Sequence, residues 1–79
     1  MRYKDDVIPL LKVPVGEAAR LESVDDSLRA KLMVYGLHIG DSLRVLRVAP
    51  LGGPLLVEVN GREIALGRAV AEKIFVEGE

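Results

Sequence analysis

The chain has 79 residues, of which 49% are hydrophobic and none is a cysteine, so neither disulfides nor thiolate metal sites can stabilise it. Eleven basic and twelve acidic residues leave a formal net charge of −1, which excludes a general electrostatic attraction to nucleic acid or to an anionic membrane. The length predicts one domain over residues 1–79, and the longest uncharged run, VAPLGGPLLV, is too short to cross a membrane.

The first predicted element is a β-strand over residues 17–24. Apolar Ala19 and Leu21 alternate there with charged Arg20 and Glu22, which is the period of a strand with one buried face. The whole chain is rich in branched aliphatic residues and has only three aromatic ones. This composition favours a small β structure with an aliphatic core.

A helix is predicted next, near residues 26–35. Three apolar residues recur with the spacing of one helical face: Leu28, Leu32 and Tyr35. Asp25 offers a side-chain oxygen to the unpaired amides of the first turn, and Gly36 suits the left-handed position that closes a helix. We expect this to be the one clear helix of the chain.

The following strand, in GDSLRVLRVAP, has an irregular pattern. Leu43 and Val45 alternate with Arg44, but the next charge, Arg47, comes three positions after Arg44 instead of two. A strand whose inside and outside positions change phase in this way is expected to contain a β-bulge. Bulges bend a sheet, as a small barrel requires.

A β-hairpin is predicted where Asn60–Gly61 separates LLVEVN from REIAL, because a type I′ turn needs positive φ at both central residues. A brief helical turn at residues 67–72 then leads to a last strand, KIFVE. The residues expected to point inward in these strands alternate along them: Leu55, Val57, Val59, Ile64, Leu66, Ile74 and Val76. Five strands with one helix after the first predict a mostly β fold, a small SH3-like barrel.

Three segments taken in order resemble the FeoA family: YGLHIGDSLRV, VAPLGGPLLVEVNGREIAL and ALGRAVAEKIFVE. The resemblance covers nearly the whole chain and implies an SH3-like β-barrel in a cytoplasmic accessory protein of ferrous iron transport. It implies FeoB as the partner, a membrane iron transporter with a cytoplasmic GTPase domain, so that the chain reaches the membrane only through this partner. A related domain occurs in iron-dependent transcriptional repressors, which leaves a regulator domain as an alternative function.

Few residues are candidates for chemistry. His38, the only histidine, is followed three positions later by Asp41, but a metal site would need at least one more ligand. The serines would have to share that histidine as their base, so no catalytic set is predicted. The segment Gly52–Gly53 leads through Pro54 into a strand and not into a helix, which argues against a phosphate-binding loop. We therefore expect no enzyme activity, no cofactor and no metal site.

A partner-binding surface is the remaining hypothesis. It comprises the basic residues of one strand and the apolar loop that follows: Arg44, Arg47, Leu51, Gly52, Gly53, Leu55 and Leu56. A solvated basic face and local packing of the leucines are the alternatives. RNA binding by a small barrel is a further alternative, although the three scattered aromatic residues form no stacking platform and we expect no nucleic-acid partner. An exposed edge strand would also allow self-association.

Overall fold

Six antiparallel strands form one sheet in the computed structural model, which describes residues 6–78. The strands are β1 Val7–Pro9, β2 Ala18–Val24, β3 Ser42–Val48, β4 Leu55–Val59, β5 Arg62–Leu66 and β6 Ile74–Gly78. Their order in the sheet is β1-β6-β2-β3-β4-β5. Two short helices, α1 Asp26–Arg29 and α2 Arg68–Ala71, and two 3₁₀ turns, Leu10–Lys12 and Leu32–Tyr35, complete the chain. The mostly β class predicted from the sequence is confirmed.

The strand β1 was not predicted from the sequence. It has three residues and pairs with β6 at the edge of the sheet, with Val7 opposite Glu77. Pro9 closes β1, and a proline is accepted there because an edge strand does not need every backbone N–H for the ladder. The expected first strand, residues 17–24, is therefore the second strand of the fold.

The expected hairpin joins β4 to β5. Asn60 and Gly61 have φ of 52° and 78°, and Val59 and Arg62 face each other across this two-residue turn. The pairing continues without a shift to Leu55 opposite Leu66. The hairpin prediction is confirmed, and the turn fixes the register of both strands.

The expected bulge lies in β3. The pairing with β4 shifts between Val45, which faces Val57, and Arg47, which faces Leu56. The extra residue returns Arg47 to the outward face, so Arg44 and Arg47 share that face although they are three positions apart.

The predicted helix is present as two pieces. The α-helical turn Asp26–Arg29 ends at Ala30, and a 3₁₀ turn follows at Leu32–Tyr35. β-Branched Val34 and aromatic Tyr35 have only moderate helix propensity, and Gly36 closes the segment at φ 74° with its amide bonded to Leu32 and Met33. The tighter second piece lets Leu37 enter the core fully buried.

The hydrophobic core lies under the inward face of the sheet, and the inner positions predicted for β2, β3, β4 and β6 are confirmed. It consists of buried aliphatic side chains: Leu10, Val13, Ala19, Leu21, Val24, Leu28, Leu32, Leu37, Leu43, Val45, Leu55, Val57, Val59, Leu66, Ala71, Ile74 and Val76. Ile64 is partly buried against it. Within residues 6–78, no helix has the length and apolar character that a membrane crossing needs.

The start of α1 is capped by Asp25. Its carboxylate accepts hydrogen bonds from the Ser27 hydroxyl at 2.6 Å and from the Ser27 backbone N–H at 2.9 Å. These two bonds stabilise the ionised form and lower the pKa of Asp25 below its ordinary value, the hydroxyl contributing most.

Replacing Ser27 with alanine should raise the pKa of Asp25 toward its ordinary value, because the stronger of the two donors is lost. A lowered folded-state pKa stabilises the fold above the unfolded-state pKa, and this contribution is lost as the pH falls through the folded-state value. Ser27→Ala should therefore weaken the dependence of stability on pH below about 4. Carbon-detected NMR titration of the Asp25 carboxyl tests this, with Ser23→Ala as the control. An unchanged pKa in Ser27→Ala would contradict it.

Candidate functional site

The two candidate metal ligands belong to one turn. The backbone N–H of His38 donates to Asp41 Oδ2 at 2.9 Å, and His38 Nδ1 lies 3.7 Å from the same oxygen. The Asp41 carboxylate thus closes the turn that leads into β3, while the His38 side chain is mostly exposed. No group of three or more His, Cys, Asp or Glu side chains placed to hold a metal ion occurs between residues 6 and 78.

The loop between β3 and β4, residues 49–54, projects a leucine. Leu51 has φ 59°, and its side chain is fully exposed at 103% of the reference area. Gly52 follows, also left-handed at φ 74°. The loop base is closed by a backbone hydrogen bond from Ala49 N to Pro54 O at 3.0 Å. The backbone of the loop therefore holds Leu51 outward, without contacts that bury its side chain.

Gly53 sits at the narrowest point of this loop. A Cβ at this position would lie 2.8 Å from the Ala49 Cβ and 3.2 Å from the Pro50 carbonyl oxygen. Both neighbours are short or part of the backbone, so neither can move aside on its own. The loop closes this tightly only because residue 53 has no side chain.

The outward face of the sheet continues this loop surface. Arg47, Leu56 and Ala65 face one another across β3, β4 and β5. Together with Ala49 and Pro54 they line a pocket of about 170 Å³. This is below the roughly 300–1,000 Å³ of small-molecule sites, so the pocket suits one side chain of a partner.

Arg44 and Arg47, which were predicted to bind a partner, and Arg29 in the preceding helical turn have different environments. Arg44 donates a hydrogen bond to the Gly16 carbonyl and so ties the turn before β2 to β3. Arg29 forms an ion pair with Asp26 at 3.2 Å. Arg47 is exposed beside the pocket, and within the described part of the chain no acidic side chain pairs with it. Of the three, Arg47 is the one whose charge is best placed for a partner.

One residue of the hypothesised surface is not available to a partner. Leu55 is 2% exposed and belongs to the core, whereas its neighbour Leu56 is half-buried on the outward face. Adjacent strand residues point to opposite faces, which explains the difference. Leu55 therefore leaves the proposed contact surface. Arg44 is exposed but its guanidinium already donates to the Gly16 carbonyl, so the surface is reduced to Arg47, Leu51, Leu56 and the two glycines of the loop.

The sequence did not indicate that Ala65 belongs to this surface, although one signal was present. The turn at Asn60–Gly61 sets the register of the hairpin, and that register places Ala65 opposite Leu56. The exposed apolar residues Met33, Val34 and Ile39 were also not indicated. They lie before β3, at the opposite end of that strand from the loop.

The chain is similar to known proteins over almost its full length. A family model described as "FeoA domain" matches residues 8–78. A curated protein of Methanocaldococcus jannaschii, named as an Fe(2+) transport protein A, is 35% identical over 71 residues, which is 87% of this chain and 84% of that protein.

Solved structures share the fold. A crystal structure of an iron uptake regulatory protein (FeoA) superposes with a TM-score of 0.77 at 29% identity, covering 91% of this chain and 96% of that one. A manganese-dependent transcriptional repressor superposes with a TM-score of 0.85 at 19% identity, covering 95% of this chain but 43% of the repressor. At 19% identity, the similarity to the repressor shows a shared fold and no more.

Proposed function

Because the chain belongs to the FeoA family of ferrous iron transport, we propose that it docks on the cytoplasmic GTPase part of a FeoB-like transporter and modulates transport. In this proposal the protein is cytoplasmic and acts by binding, without catalysing a reaction and without handling nucleotide or metal. The contact surface is the loop of residues 49–54 together with Arg47 and Leu56 on the outward face of the sheet.

The proposal depends mainly on one observation, that Leu51 combines a left-handed backbone with a fully exposed side chain. A left-handed backbone costs an L-residue other than glycine or asparagine roughly 1–2 kcal/mol. The Leu51 side chain is fully exposed, so burial within the chain does not offset that cost. A local cost at an exposed apolar side chain supports a binding role, since a partner that buries the side chain would compensate for it.

The surroundings of Leu51 fit the same role. Leu56 and the pocket beside it offer a second apolar contact, and Arg47 adds a positive charge at its rim. In protein interfaces, buried apolar anchors supply most of the affinity, whereas rim charges act on association rate and salt dependence. A partner with an apolar recess and an acidic rim would match this surface.

Replacing Leu51 with glycine should weaken binding to the purified GTPase domain by about tenfold or more, because burying a leucine side chain contributes about 1.5–3 kcal/mol. The same change should not destabilise the monomer, since glycine adopts the left-handed conformation without strain. Calorimetric titration of the domain, together with urea unfolding of the variant, measures both quantities.

Val34→Ser is the matched control. Val34 is also an exposed apolar residue, at 81%, but the turn it belongs to is bonded through the Gly36 carbonyl to Arg62 at the start of β5. The loop lies at the other end of the hairpin, where Leu55 faces Leu66, so the length of β5, about 13 Å, separates the two places. This control should bind normally.

Arg47→Ala should cost less affinity than Leu51→Gly, and the cost should shrink as salt rises. Unchanged affinity in Leu51→Gly would show that the surface is wrong, and no binding by the wild type would refute the proposed partner.

A further inference from the structure

The strand β5 lies at one edge of the sheet. Val59 and Arg62 flank a two-residue turn, so they form the hydrogen-bonded pair next to it, and bonded and non-bonded pairs alternate from there. Glu63 and Ala65 therefore direct their backbone N–H and C=O groups away from β4. Of the described backbone hydrogen bonds outside the ladders, none involves residues 62–66. The outer side of β5 can thus accept another strand.

Three outward side chains lie side by side across the sheet: Ala65 on the edge strand β5, Leu56 on β4 and Arg47 on β3. Ala65 contributes only a methyl group to the pocket of about 170 Å³ that this row lines. Directly opposite side chains on neighbouring strands lie about 5 Å apart, so a long side chain on an added strand would reach over Ala65 into the pocket. A large apolar side chain on the added strand would therefore fit beside Ala65.

Glu63 lies two positions before Ala65 on the same outward face, and its negative charge has no cation beside it among the described residues. Glu58 faces Glu63 directly across the β4–β5 ladder, and both are exposed. Like charges in this arrangement repel. Arg44 faces Glu58 from β3, but its guanidinium donates to the Gly16 carbonyl, and no ion pair reaches Glu63 within the described residues. A cation placed beyond Glu63 would relieve the repulsion.

We infer that β5 is a strand-addition site for an extended segment that carries a Lys or Arg beside Glu63 and a large apolar residue beside Ala65. The two side chains would be two positions apart, as residues on one face of a strand must be. This inference rests on the proposed docking function for the identity of the partner, and adds to it the conformation and the side-chain pattern of the docking segment.

A second copy of this chain fits the edge less well. Antiparallel pairing of two β5 strands centred on Ile64 would place Glu63 opposite Ala65 of the other copy, and pairing centred on Glu63 would bring the two glutamates together. Neither register supplies a cation to Glu63. The charge pattern therefore favours a different, basic segment.

Short synthetic peptides test the inference without the transporter. The first peptide consists of threonines except for a Lys and a Phe that are two positions apart. One control peptide has Glu in place of the Lys, and the other has Ala in place of the Phe. In an NMR titration, the Lys/Phe peptide should bind at least about tenfold more tightly than either control. It should shift the amide signals of Glu63 and Ala65 and slow their hydrogen exchange.

Reversing the charge of residue 63 gives the most discriminating variant. Glu63→Lys removes the repulsion with Glu58, so it should leave the fold intact while the preference changes to the Glu-bearing peptide. Equal binding of all three peptides, absence of binding, or shifts confined to residues 49–54 would overturn the inference. Slowed exchange of Glu63 and Ala65 at high protein concentration without peptide would also overturn it, because the occupant would be a second copy.

The two proposals fail in distinguishable ways. If the GTPase domain binds the wild type and Glu63→Lys equally well but binds Leu51→Gly weakly, the strand-addition site is wrong and the docking function stands. If the peptides behave as expected but the GTPase domain does not bind the wild type, the proposed transporter partner is wrong and the edge site stands.

Discussion

Replacing Leu55 with alanine is expected to destabilise the domain by about 2–5 kcal/mol, because its side chain is 2% exposed and its removal leaves a cavity in the core. A chain of this length has a total stability of roughly 4–12 kcal/mol, so the variant should lose a large part of it. Urea unfolding followed by circular dichroism measures the change.

Leu56→Ala is the matched control, because it makes the same chemical change one residue later on the opposite face of β4. Leu56 is half-buried beside the pocket, so its truncation should cost much less stability and should instead weaken binding of the partner. Equal stability losses in the two variants would contradict the division of this strand into a core face and a contact face.

Gly53→Ala is expected to cost about 1–3 kcal/mol of stability, because the new methyl group would lie 2.8 Å from the Ala49 Cβ and the loop must shift to accommodate it. The same shift should displace Leu51, so partner affinity should fall although no contacting side chain has been removed. Thermal unfolding and the calorimetric titration measure the two effects.

The control for this prediction is Gly67→Ala. Gly67 has φ −58°, and no atom lies within 4 Å of the position that its Cβ would take. Alanine there meets no steric obstacle, so it should cost no more than about 0.5 kcal/mol for a poorer N-cap of α2, and it should leave binding unchanged. If Gly53→Ala proved equally neutral, the loop would be flexible enough to absorb the methyl group, and the idea of a rigidly presented Leu51 would fail.

Local signals explain why much of the fold could be predicted from the sequence. The turn at Asn60–Gly61 and the phase change between Arg44 and Arg47 depend on neighbouring residues alone, and both are present as expected. The strand β1 could not be predicted because it has three residues and exists through pairing with β6, about 70 residues later in the chain. The break in the predicted helix could not be predicted because Leu28 and Leu32, both buried, have the spacing of one face of an unbroken helix.

The candidate surface was less predictable because it depends on register across strands. The loop leucine and Arg47 could be named from the sequence, but the pairing of Arg47 with Leu56 follows from the position of the bulge. That pairing creates the pocket. The left-handed backbone of Leu51 could not be expected either, since leucine rarely adopts it.

The position of β6 between β1 and β2 sets an order for folding during synthesis. The strands β3, β4 and β5 pair with their sequence neighbours, so this meander can form as soon as it leaves the ribosome. β1 and β2 emerge first, but β1 has no partner strand until residues 74–78 are made, and β2 can pair with β3 on one side while its other side also waits for β6. Until then their unpaired edges are exposed to other nascent chains, so the early strands are where we expect chaperone contact and aggregation.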